Sequence, residues 1–217
     1  RAWGAGDYEE ASRVTMASMV LAGLLSLLIA VFGIVLASDM AGVFGLDEAT
    51  SDLATRTIQW LSFFNLAFAV AFVLQAALRA SGDAWTPLWV GIGCNIINLP
   101  LFYAFIFGNW GAPNMGVVGS AVAGGISFAA GSLFMLIMWL RQRFRVRYIG
   151  HGWWRRERLA RLLQIGYPAA LEQGVFQIGF FIFLILIGNY YGTEAFAAYN
   201  IGVNLLAICW TVGFGFS

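Results

Sequence analysis

Apolar residues along this 217-residue chain fall in long blocks, with neither the strict alternation of a strand nor a single 3.6-residue stripe. A helix that is apolar all round is stable only inside a very large core or in lipid. A chain of this length has no core able to hide six such helices, so lipid is the environment the pattern demands. Spanning the hydrocarbon layer takes about 20 apolar residues in helical form. Six segments meet that requirement: 17–37, 58–78, 87–107, 117–140, 165–187 and 195–216. Each is about twice the length of a barrel strand, and an open sheet would leave backbone polar groups unpaired in lipid. The pattern therefore predicts an all-α, polytopic transmembrane helical bundle in a cell membrane, crossed several times.

The connections between segments are short and rich in turn formers, as in Arg79-Ala-Ser-Gly-Asp-Ala-Trp-Thr-Pro87, Phe107-Gly-Asn-Trp-Gly-Ala-Pro-Asn-Met-Gly116 and Gly188-Asn-Tyr-Tyr-Gly-Thr193. Neighbouring spans must then run antiparallel. Each span also carries a less apolar stripe at helical spacing. These are Asn65, Phe68, Phe72 and Gln75 in the second, and Gly91, Asn95 and Asn98 in the third. The fourth has Gly116, Ser120, Gly124, Ser127 and Gly131, the fifth Gln173 and Gln177, and the sixth Asn200, Asn204 and Thr211. Small residues let helix backbones approach, which makes the fourth stripe a packing seam. The amide stripes admit two readings, bonding across a helix interface or lining a wet cavity.

Composition sharpens this picture. Hydrophobic residues make up 60% of the chain and charged residues 11%, under half the charge of an ordinary soluble domain. All twelve basic residues are Arg, and eight of them lie in 141–161. With apolar spans on both sides, that run reads as a cytoplasmic loop and not as a nucleic-acid surface. Counting back by alternation puts the 79–87 loop and the start, with Arg1 and Arg13, on the same side. The opposite side receives the 39–56 loop, with Asp39, Asp47, Glu48, Asp52 and Arg56, and also Glu194. Cys94 and Cys209 lie within apolar segments without metal-ligand or disulfide spacing, and read as small packing residues. The absence of an initiator Met and an end on an apolar run suggest a piece of something longer.

Five stretches then resemble the multidrug and toxic compound extrusion (MATE) family. Arg79-Ala-Ser-Gly-Asp-Ala-Trp-Thr-Pro87, with Gly93-Cys-Asn-Ile-Ile-Asn98 and Ile106-Phe-Gly108 after it, is similar to a loop and the fifth helix of that family. Gly116-Val-Val-Gly-Ser-Ala-Val-Ala123 looks like the start of its sixth. Leu163-Gln-Ile-Gly-Tyr-Pro-Ala-Ala-Leu-Glu172 and Gly192-Thr-Glu-Ala-Phe-Ala-Ala-Tyr-Asn-Ile201 resemble the seventh and eighth, and Gly4-Ala-Gly-Asp7 the loop before the third. The resemblance implies twelve helices in two six-helix bundles around a central cavity, of which this chain holds helices three to eight. Residues 1–140 would be four spans of the first bundle, 141–161 a basic cytoplasmic linker, and 162–217 the start of the second bundle. Within the linker, Trp153-Trp-Arg-Arg-Glu-Arg-Leu159 reads as amphipathic and suited to the membrane interface. The implied function is secondary active export of small organic cations or drugs in exchange for Na⁺ or H⁺, by a monomer without a cofactor. The alternative in the same superfamily is a lipid-linked oligosaccharide flippase or polysaccharide exporter.

The candidate pathway residues are Glu172, Gln173, Gln177, Asn95, Asn98, Asn65, Asn200 and Asn204. Glu172 is the one acidic residue placed within a span, where an ionisable group is a functional candidate by default. It lies about 10 Å along its helix, so a carboxylate reaching back to the interface is the competing reading. The family's coupling acid on the seventh helix falls where this chain has Phe176, one turn later. Enzyme chemistry finds little support. The single histidine, His151, sits in the basic loop, far in depth from Ser120 and Ser127. No phosphate-cradling loop and no metal-ligand cluster stands in the sequence.

Overall fold

The computed structural model describes residues 3–215, with the side chains of 208–215 left aside. Arg1, Phe216 and the side chains of Cys209 and Thr211 are therefore outside the described residues. After a 3₁₀ turn at Trp3–Ala5 come seven helices among the described residues: α1 (Tyr8–Val35), α2 (Ala37–Gly42), α3 (Glu48–Phe63), α4 (Asn65–Ala80), α5 (Trp85–Phe107), α6 (Val117–Leu140) and α7 (Arg156–Gly215). The fold is a membrane helical bundle.

Local chemistry sets the helix ends. The Asp7 carboxylate accepts the Glu10 N–H at 2.9 Å, and Glu9 and Glu10 occupy the positive first turn of α1. Before α5, Asp83 accepts the Thr86 N–H at 3.0 Å and the Thr86 hydroxyl at 2.6 Å. Those two donors hold its carboxyl below the usual carboxylate range. α5 stops at Gly108, whose φ of 72° is the left-handed conformation of a helix C-terminus.

Of these helices, α1, α5, α6 and α7 are each long and apolar enough to cross a membrane, and the bent pair α3–α4 meets the same test if it is counted as one span. At 60 residues, α7 has the length of two spans, and Gly192 interrupts it with φ 80° and ψ −178°. Six crossings therefore rest on that break. Three expectations are corrected. The segment at 39–56 is not a simple loop, since α2 fills its start and α3 begins at Glu48. The second segment is bent by 50° between Phe63 and Asn65 instead of running straight. The amphipathic stretch at 153–159 is helical only from Arg156, as the opening of α7.

The chain forms two compact units. The first comprises Arg1–Ala37 and Arg56–Tyr167. α6 is its central helix, burying Val118, Ala121, Val122, Ala123, Ser127, Met135 and Trp139 against its neighbours. Leu74 and Leu78 of α4 join Met135, Trp139 and Phe144 in one cluster, with Met16 and Met19 of α1 against it. Burial of such side chains does not drive association within lipid as it does in water, so close fit matters most. Three glycines of α6 provide that fit. A Cβ on Gly119 would lie 2.6 Å from the Phe105 carbonyl oxygen, one on Gly125 would strike the Phe64 ring, and one on Gly131 would strike Cys94 Sγ.

The 141–155 segment is fastened to this unit. The Arg147 N–H donates to Ser12 Oγ at 3.1 Å and Arg145 Nη1 to the Ser81 carbonyl at 3.3 Å. Tyr148 packs edge-on against Trp139. Arg158, only 5% exposed, donates through Nε and Nη2 to both Glu10 oxygens at 2.8 and 2.6 Å, and through Nη1 to the Gly152 and Trp153 carbonyls. A two-pronged guanidinium–carboxylate pair of this kind fixes geometry as well as charge.

The second unit comprises Ser38–Thr55 and Pro168–Ser217. Phe44 meets the Phe181 and Phe196 rings edge-on, at 5.1 and 5.6 Å, so it touches α7 on both sides of the Gly192 break. Asn189 donates to the Val43 carbonyl at 3.0 Å, and the Thr193 hydroxyl to Asp47 at 2.9 Å. Hydrogen bonds from Thr50 and then Thr193 hold the Asp47 carboxyl below its ordinary range.

Candidate functional site

Within the first unit, α4, α5 and α6 enclose a cavity of about 210 Å³. Gln75 of α4 and Asn95 and Asn98 of α5 bring three amides to it, and Phe102, Phe128 and Met135 form apolar walls. Helix spacing explains the convergence. Gly91, Asn95, Asn98 and Phe102 recur at three- and four-residue intervals, so one face of α5 presents them all. Asn98 Nδ2 lies 3.4 Å from the Ser127 hydroxyl, which itself donates to the Ala123 carbonyl at 2.8 Å. Asn95 Nδ2 donates to the Gly91 carbonyl one turn back at 2.9 Å. These donations leave the amide oxygens as the acceptors each side chain can offer a guest.

Gly124 lies beside Asn98, where a Cβ would sit 3.8 Å from Nδ2, an ordinary contact. The Gly/Ser stripe of α6 therefore divides its work. Gly131 packs against α5, while Gly124 keeps the cavity open. The space is lined by amides and rings, carries no net charge, and is roomy enough for water or part of a larger guest.

Other candidates occupy different places. Asn65 is half-buried and donates to the Ser26 carbonyl of α1 at 2.9 Å, so in this structure it ties helices together. Glu172, Gln173 and Gln177 are exposed on α7 within the second unit. Asn200 donates to the Phe196 carbonyl and Asn204 to the Asn200 carbonyl, each four residues back on the same helix. Gln75, Phe102 and Ser132 line the cavity without having been singled out as site residues. For Gln75 the signal was present, since it closes the amide stripe that begins at Asn65. Phe102 and Ser132 carried none, because one more aromatic or hydroxyl in an apolar helix has no distinguishing spacing.

Long apolar helices packed around an amide-lined cavity place the chain among polytopic helical membrane proteins. Comparison with known proteins makes the class specific. Residues 1–104 match the MatE family. The probable multidrug resistance protein NorM of Thermotoga maritima is 34% identical over 158 residues, covering 70% of this chain and 33% of that protein. The probable multidrug resistance protein YoeA of Bacillus subtilis is 29% identical over 215 residues, covering 95% of this chain and 45% of its own length. In fold, the chain resembles an inward-facing multidrug resistance MATE family transporter of the MOP superfamily, with a TM-score of 0.79 at 24% identity over 92% of this chain and 45% of that one. The chain is similar to the MATE family, by the family's own pattern over residues 1–104 and by these relatives over most of its length, and it spans a third to under half the length of those relatives.

Proposed function

We propose that the full-length protein containing this chain is a secondary active multidrug exporter, not an enzyme, and that it exchanges organic cations or drugs for Na⁺ or H⁺. The observation that carries this reading is the cavity in which Gln75, Asn95 and Asn98 meet Phe102 and Phe128 among membrane-spanning helices. Amide oxygens and ring faces both attract cations without fixing one charge partner, which suits guests of varied shape. The names of the relatives, multidrug resistance proteins, support the substrate class.

Coupling needs a cation and a drug to favour different states of one protein. In this reading Glu172 binds the proton or Na⁺, with Gln173 and Gln177 as neighbouring oxygen ligands, and Asn95 and Asn98 hold the drug. Asn200 and Asn204 offer further amide oxygens on α7, while Asn65 holds α4 to α1, and the 141–161 linker joins the two bundles. The protein works as a monomer in the bilayer, with no cofactor beyond the driving ion.

The test uses the full-length protein in proteoliposomes loaded with a fluorescent organic cation. An imposed inward Na⁺ or H⁺ gradient should drive dye out, and collapsing the gradient should stop it. Dye movement indifferent to both gradients, together with transfer of a lipid-linked oligosaccharide, would replace this reading with the flippase alternative.

A further inference from the structure

The face of α5 turned away from the amide cavity borders a second space, of about 690 Å³, that the transport reading does not use. Trp89, Gly93 and Ile97 recur every four residues and stand opposite the Gly91–Asn95–Asn98 stripe. With Phe134 and Met138 of α6 they wall a groove between the two helices, and Val90, Cys94 and Gly131 form the seam that separates it from the cavity. Trp89, Ile97 and Phe134 are exposed. A Cβ built on Gly93 meets nothing within 4 Å, so the groove is open there.

The groove's end is chemically different from its walls. The start of α5 and the end of α6 converge on Arg143 and Arg145, with Asp83 and Thr86 beside them. Both oxygens of Asp83 already accept from Thr86. Arg145 donates one N–H to the Ser81 carbonyl, and the Arg143 guanidinium has no hydrogen-bond or ion-pair partner among the described residues. Two guanidinium groups and one occupied carboxylate leave the mouth with net positive charge. The excess of Arg in 141–161 puts that mouth at the cytoplasmic surface.

We propose that this groove holds one phospholipid of the cytoplasmic leaflet with a monoanionic headgroup of the phosphatidylglycerol type. Its phosphodiester sits on Arg143 and Arg145, and one acyl chain lies between Trp89 and Ile97 of α5 and Phe134 and Met138 of α6. Arg matches the planar, two-oxygen face of a phosphate. Basic pockets between spans on the cytoplasmic side are the usual seats of anionic lipid. The site is distinct from the drug cavity, and binding there steadies the α5–α6 pair and the first residues of the linker.

Native mass spectrometry of the full-length protein, titrated with phosphatidylglycerol and with phosphatidylcholine of identical chains, tests this directly. One phosphatidylglycerol should be retained at roughly thirtyfold lower concentration than phosphatidylcholine, the ratio expected when two Arg side chains near the surface meet an anionic headgroup. The pair Arg143→Gln and Arg145→Gln should abolish that preference, and Arg143→Lys with Arg145→Lys should keep most of it. Gly93→Leu should weaken retention of both lipids by filling the groove. Equal retention of the two lipids by the wild type would overturn the proposal, as would an undiminished preference in the double Gln variant. Displacement of the lipid by glycerol phosphate alone would point to a free-anion site and overturn it as well.

Discussion

Asn98 stands where sequence and structure meet most closely. Its spacing from Gly91 and Asn95 marked it as inward-facing, and its amide comes to Ser127 on α6 beside an open cavity. A neutral hydrogen bond of this kind contributes about 1 kcal/mol net, so Asn98→Ala should leave folding intact. Drug efflux should nonetheless fall sharply at unchanged expression, because the loss is one of recognition. Glu172 makes the complementary prediction. Glu172→Gln in the full-length protein should abolish ion-driven efflux without lowering expression, whereas wild-type efflux across the whole pH range would make the residue structural. Asp83 gives a prediction about pH. Thr86 depresses its pKa, so its contribution is complete above the ordinary carboxylate value and is lost as pH falls through the depressed one. Amide exchange at the start of α5 should quicken in acid, and Asp83→Asn should remove that acid dependence.

At the level of helices, composition and turn residues made some boundaries plain and left others hidden. The 117–140 span coincides with α6, because Gly116 and the Arg run beginning at Arg141 bracket it. The third segment gained only Trp85 and Thr86, drawn in by the Asp83–Thr86 bonds. The bend between α3 and α4 was illegible, since no Pro or Gly marks it. It falls where the Phe64 ring seats on Gly125 of α6 and Asn65 reaches the Ser26 carbonyl of α1, contacts that exist only once the helices are packed. Gly125→Ala should therefore overpack that seat and cost about 1–3 kcal/mol. Adding Phe64→Ala should return much of the thermal stability measured in detergent. The Arg158–Glu10 pair was equally hidden, being 148 residues apart in sequence. Glu10→Gln removes the carboxylate while the Gly152 and Trp153 carbonyls still accept from Arg158, and should cost about 1.5 kcal/mol, seen as a lowered midpoint of thermal unfolding.

For the molecule as a whole, the distribution of charge carries the orientation. With Arg concentrated in 141–161, a Cys replacing His151 should be shielded from an impermeant reagent in intact cells, while one replacing Asp47 should react. The amphipathic opening of α7 was legible only in part: Trp153 and Trp154 lie outside the helix, because the Gly152 and Trp153 carbonyls turn inward to hold Arg158. The polar lining of the cavity, Gln75, Asn95 and Asn98, was legible as amide stripes, but stripes alone do not separate packing from a cavity. Asn65 proved to bond a neighbouring helix, while Asn95 and Asn98 proved to border open space.

That distinction is the centre of the account, and one measurement addresses it. In the full-length protein with Cys94 and Cys209 replaced by Ala, single cysteines are placed at Asn98 and at Ile96, which is 66% exposed away from the cavity. A wet transport cavity predicts that Asn98→Cys reacts with a charged, water-soluble thiol reagent, that a transported drug slows the reaction, and that Ile96→Cys stays unlabelled in lipid. Equal silence at both positions, or labelling at Asn98 that no drug affects, would contradict it.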